Sequence, residues 1–159
     1  MTDQPILHKR TQLQIDNFLT SPSQALILSG DSGIGKNYIA TWMADQLDLQ
    51  VIQITVAEDK KMIGIEQVQQ LYVQTRSSSS LCIIIDNSHL MTIDAQNAFL
   101  KLLEEPPANT YFIMTTDDTD HLLQTIRSRS QEIRVFTPAS PRRRAATEPP
   151  NPEPMTMAL

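Results

Sequence analysis

Residues 25–37 read ALILSGDSGIGKN, and the fold can be read from this stretch. The apolar run at 25–28 has the length of a buried strand. Three of the chain's four glycines, Gly30, Gly33 and Gly35, follow it at once. Glycines at this spacing let the backbone curl so that several N–H groups face one point. The N-terminus of a following helix adds partial positive charge there. Such a helix is legible, because Ile39, Ala40, Met43, Ala44 and Leu47 recur at helical spacing. A strand before and a helix after distinguish a phosphate-binding loop from an ordinary glycine-rich turn. Its candidate residues are Gly30, Asp31, Ser32, Gly33, Ile34, Gly35, Lys36 and Asn37, with Lys36 reaching the β- and γ-phosphates of a nucleotide.

The same alternation continues on both sides. Residues 8–20 read as a helix, with Ile15, Phe18 and Leu19 on one side. A second strand is expected at 51–54, and a helix at 65–75 with Val68, Leu71 and Tyr72 on one face. The run LCIII at 81–85 is apolar throughout, as a central parallel strand is. Ala95, Ala98, Phe99, Leu102 and Leu103 mark an amphipathic helix that opens near Thr92 and stops at Pro106 and Pro107. Strands at 110–114 and 131–136 flank a short helix at 122–128. Strands alternating with helices predict a parallel sheet covered on both faces, with ligands at the carboxyl ends of the strands. The predicted fold class is therefore α/β: a three-layer P-loop NTPase core, its five-stranded sheet mostly parallel, with helices on both faces. This domain occupies 1–137. Residues 138–159 hold six of the ten prolines and the triplet Arg142, Arg143 and Arg144, and read as a disordered tail.

Charge and cysteine count exclude several roles. Net charge is -5, spread unevenly. Residues 1–126 carry 7 Lys+Arg against 15 Asp+Glu, whereas residues 127–159 carry 6 against 3. An acidic body is a poor stand-alone ligand for DNA, whose affinity comes mainly from cations on phosphates. The single cysteine, Cys82, allows no internal disulfide and no zinc framework. The N-terminal MTDQPILHKR has no apolar region of signal-peptide length, and the run at 81–85 is too short to span a bilayer. A soluble cytoplasmic protein without a membrane partner is expected. His89 and His121 read as surface or helix-start residues.

Two positions depart from a hydrolytic site. Asn37 stands where a Ser or Thr hydroxyl normally ligates Mg²⁺, an ion that demands near-ideal octahedral geometry. Asp86, at the end of the run IIID, is the second candidate metal residue and can hold Mg²⁺ through a water. A glutamate usually follows to polarise the attacking water, but here the residue is Asn87, and amides accept no proton at neutral pH. Asn37 and Asp86 are thus a weakened metal pair, and Asp86 with Asn87 a degenerate catalytic one. A retained cradle with lost hydrolysis is expected.

Four segments together carry a family resemblance: ALILSGDSGIGK; IGIEQVQQL at 63–71; IIIDNSHLMTIDAQNAFLKLLEEPP at 83–107; and TIRSRSQ at 125–131. They resemble the first AAA+ domain of bacterial DNA polymerase III clamp-loader subunits, delta-prime and gamma/tau, over about residues 5–136. The resemblance implies an AAA+ core binding ATP or ADP with Mg²⁺. It implies a subunit that acts in DNA replication, in a five-membered ring with gamma/tau and delta, opening a sliding clamp and placing it on primed DNA. Arg129 matches the arginine of the family's Ser-Arg-Cys motif, with Ser130 in place of the cysteine. By resemblance it is an arginine finger offered in trans to a neighbouring subunit's ATP. Thr115 and Thr116 match the sensor 1 position. The family's four zinc cysteines are absent between the two nucleotide motifs, so no zinc is expected, and no lid or collar domain is expected within these residues. A delta-prime-type subunit without its own ATPase is the favoured reading. A hydrolysing gamma/tau-type ATPase is the alternative. A small P-loop kinase or transferase is disfavoured, because no residues suggest an acceptor site.

Overall fold

A computed structural model describes residues 3–76 and 79–137. Helices and strands alternate: α1 (Lys9–Thr20), β1 (Ala25–Ser29), α2 (Lys36–Gln46), β2 (Gln50–Ile54) and α3 (Ile65–Gln74). Then follow β3 (Leu81–Ile85), α4 (Ile93–Glu104), β4 (Thr110–Thr116), α5 (Gln124–Ser128) and β5 (Gln131–Arg134). Short 3-10 helices lie at Ser88–Leu90 and Thr119–His121. The expected tail at 138–159, with Arg142, Arg143 and Arg144, lies outside the described residues.

The strand order is β2-β3-β4-β1-β5. Every pairing between these strands is parallel, so the sheet goes further than the mostly parallel one predicted. Strands β1 and β3 are buried along their whole length. Successive side chains point to opposite faces, so each strand feeds two cores. Ala25, Ile27, Ile83 and Ile85 join α3, α4 and α5 on one face. Leu26, Leu28, Cys82 and Ile84 join α1 and α2 on the other. Phe99 of α4 meets Phe112 of β4 edge-on, with ring centroids 5.4 Å apart.

Local chemistry sets the helix ends. Thr92 caps α4 by accepting from the Ala95 N–H at 3.1 Å. Pro106 and Pro107 lie just beyond its last residues. Apart from one-residue shifts at element ends, the structure differs from the sequence reading at three places. Strand β4 continues to Thr116, because Leu28 and Ser29 of β1 pair with Thr115 and Thr116. Strand β5 ends at Arg134 rather than 136. The helix expected at 122–128 starts only at Gln124. Buried Gln96 accepts the Leu123 N–H at 2.7 Å and donates to the His121 carbonyl at 3.0 Å, which holds that segment extended.

Cys82 is fully buried in β3, and burial pushes its thiol up to about 12. Since the thiolate is the reacting species, its alkylation at pH 8 is expected to be about a thousand-fold slower in the native protein than in denaturant. Timed iodoacetamide labelling read by mass spectrometry checks this. Comparable rates in the two states would contradict the burial. Among the described residues, no helix is long and apolar enough to cross a membrane.

Candidate functional site

The carboxyl ends of β1, β3 and β4 converge on one place. The phosphate-type loop leaves β1, Asp86 follows β3, and Thr115 and Thr116 close β4. The Gly30 N–H donates to the Thr116 carbonyl at 3.2 Å, and the Asp86 N–H to the Ile54 carbonyl at 2.9 Å. Gly35 is the N-cap of α2 with φ +89°, so the first N–H groups of that helix open toward the loop. Gly30 is required for space as well as conformation. At φ +156°, a Cβ there would lie 2.7 Å from both the Val135 carbonyl oxygen and Ile34 Cδ1.

Lys36 is buried under this loop. Its Nζ donates to the carbonyls of Gly30 and Asp31, each at 2.8 Å. Desolvation holds its ammonium below the usual lysine range, opposed by the carboxylates of Asp117, Asp86 and Asp31. A loop of positive-φ glycines, a helix N-terminus and a lysine fits a nucleotide's phosphate chain. The fit to Mg²⁺ is poorer. Asp86 Oδ1 already accepts from Thr115 Oγ1 at 2.7 Å. The Asn37 amide oxygen faces Thr41 Oγ1 along α2 at 3.3 Å. Among the described residues, no three His, Cys, Asp or Glu gather in an arrangement that could hold a metal.

Asn87 has φ +53°, in the left-handed region that Asn tolerates. Its N–H donates to Thr115 Oγ1 at 3.0 Å. The Thr115 hydroxyl therefore ties Asp86 and Asn87 together. Thr116 Oγ1 accepts from the Asp118 N–H at 3.0 Å and contacts His89 Nδ1 at the same distance. Both sensor-position hydroxyls thus have partners within the protein.

His89 lies at the start of the 3-10 helix Ser88–Leu90, as the helix-start reading has it, but not on the surface: its side chain is only 15% exposed, and Nε2 lies 3.0 Å from Asp117 Oδ1. Asp117 is the site residue that sequence reasoning missed. The one available signal was the acidic residue directly after Thr115 and Thr116. His121, by contrast, is exposed and pairs with Asp118.

Arg129 lies elsewhere. It precedes β5, whose Gln131 pairs with Leu26 near the start of β1, whereas the loop leaves the far end of β1 beyond Ser29. Its Nη1 donates to the Thr125 carbonyl at 3.2 Å, and its Nη2 lies 3.2 Å from Glu104 Oε2. A cleft of about 280 Å³ opens beside it, lined by Ser23, Leu103, Pro106 and Ser130 among others. The structure gathers the residues of the loop, Asp86, Asn87, Thr115 and Thr116 at one end of the sheet and puts Arg129 at the other.

The family model described as DNA polymerase III, delta subunit, matches residues 46–139. DNA polymerase III subunit gamma of Buchnera aphidicola subsp. Schizaphis graminum is 31% identical over an alignment of 136 residues that covers 70% of this chain and 38% of that protein. Subunit delta' of Yersinia pestis is 36% identical over an alignment of 80 residues that covers 48% of this chain and 24% of that protein. A solved DNA polymerase III gamma subunit-related protein from Thermotoga maritima superposes with a TM-score of 0.66 at 20% identity, over 86% of this chain and 48% of its own. At that identity the likeness is one of fold, an α/β core around a parallel sheet. The chain spans less than half the length of each of these three relatives.

Proposed function

The chain belongs to the DNA polymerase III delta-subunit family, and on that premise we propose that it supplies the AAA+ core of a delta-prime-type clamp-loader subunit. In this reading it keeps a phosphate cradle, has no hydrolysis of its own, and offers Arg129 to a neighbouring subunit's nucleotide. Its partners are gamma/tau and delta, and through them the sliding clamp and primed DNA.

The observation that carries the reading is Asn87. Directly after Asp86 stands an amide, which accepts no proton at neutral pH. Asp86 itself is engaged by Thr115. The loop 30–36 would hold the phosphates of ATP or ADP, and Asp86 with Asn37 would hold Mg²⁺ weakly. A bound metal supplies charge neutralisation on the phosphates. Lys36 contributes its ammonium to the same task.

Two assays test this. The isolated chain is expected to release phosphate from ATP at the background rate, unchanged by Lys36→Ala. Binding of a fluorescent ADP analogue is expected to weaken at least about ten-fold in that variant, because a charge-assisted contact worth about 1.5–3 kcal/mol is lost. Turnover by the isolated chain that Lys36→Ala abolishes would overturn the proposal. A gamma/tau-type ATPase is the second reading, favoured by the gamma relative that matches 70% of the chain. It requires Mg²⁺-dependent turnover and a large loss on Asp86→Ala.

A further inference from the structure

We infer that Glu104 is the positioning residue for Arg129, and that the C-terminal end of α4 is the seat from which the guanidinium is presented. The inference rests on the proposed role of Arg129 in trans. Glu104 lies in the last turn of α4, where a negative charge opposes the helix dipole. Helix stability therefore does not account for a glutamate at this position. Its carboxylate instead faces Arg129, with Oε2 3.2 Å from Nη2. The Thr125 carbonyl takes Nη1, also at 3.2 Å.

These two contacts hold the fork from two sides, one from α4 and one from α5. An arginine carries five N–H donors, so others remain for a phosphate oxygen. A free arginine would lose considerable rotamer entropy on engaging a neighbour's phosphate. Here much of that ordering is complete beforehand, which is what preorganisation of a charge stabiliser requires. The pair is 40% and 44% exposed, so it is open to a partner. The reading also gives a role to a glutamate of the NAFLKLLEEPP segment, whose charge the hydrophobic pattern of α4 does not explain.

The test uses the full chain assembled with its organism's gamma/tau and delta subunits, clamp and primed DNA. Single-turnover phosphate release is measured for the wild type, Glu104→Ala, Glu104→Gln, Arg129→Ala and the Glu104→Ala/Arg129→Ala double variant. Glu104→Ala is expected to slow release about three- to five-fold, with the KM for ATP unchanged, since Glu104 touches no nucleotide. Glu104→Gln keeps an oxygen acceptor and is expected to recover part of the rate. The double variant is expected to be no slower than Arg129→Ala alone, as for groups acting as one unit. A merely structural role would instead lower thermal stability and assembly, and leave the double variant additive.

If Arg129→Ala slows release while Glu104→Ala leaves it unchanged, the inference falls and the finger reading stands. Faster release in Glu104→Ala also overturns it, because the carboxylate would then be restraining the guanidinium. If Arg129→Ala changes nothing, the finger reading fails and takes the inference with it.

Discussion

Arg129→Ala is expected to slow phosphate release at the neighbouring subunit's site by about three orders of magnitude, the lower end of what an arginine finger contributes to phosphoryl transfer. The guanidinium would act on charge that develops on the phosphoryl oxygens, so the loss should appear in the rate of the chemical step rather than in nucleotide affinity. Arg129→Lys should rescue little, because an ammonium lacks the planar fork that matches a phosphate. Stability offers the control. The Glu104 pair is roughly half exposed, so its removal should cost no more than about 1 kcal/mol of folding free energy. Single-turnover release by the assembled loader, alongside thermal unfolding of the isolated chain, separates the two effects. A slowing of less than about ten-fold would remove Arg129 from the reaction.

The largest stability effect is expected at Phe99. Its side chain is fully buried and meets Phe112 edge-on, joining α4 to a central strand. Phe99→Ala removes both transfer free energy and packing, and leaves a cavity beside Phe112 in the core that close-packed neighbours fill only partly. A loss of about 3–5 kcal/mol is expected, which lowers Tm by about 10–20 °C in a domain of this size. Urea unfolding with an unchanged slope would assign the loss to the native state. Because α4 also carries Glu104, activity in the loader should fall with it. A loss below about 1 kcal/mol would mean that the site collapses without a cavity.

The element order was legible because each element carried its own period. The run 81–85 reads as a central strand, and Ala95, Phe99 and Leu102 read as one face of a helix. The paired amides Asn37 and Asn87 needed only their neighbours in sequence to stand out. Long-range contacts left no local trace. Strand β4 reaches Thr116 only because β1 pairs with it there, which residues 110–116 alone do not reveal. The late start of α5 depends on Gln96, far earlier in the chain. The His89–Asp117 and Glu104–Arg129 pairs join residues that only the folded sheet brings together. The family resemblance sets Thr115 and Thr116 at the sensor 1 position. Folding gives both hydroxyls partners within the protein, which no local pattern announces.

The cradle and Arg129 occupy opposite ends of one sheet. In a head-to-tail, heterologous contact the donor end of one subunit would meet the acceptor end of the next. A member of such a row would offer an arginine at one end and present a cradle at the other. Whether the row closes or stays open is then decided by the rotation per step, a property of the whole surface rather than of any catalytic group.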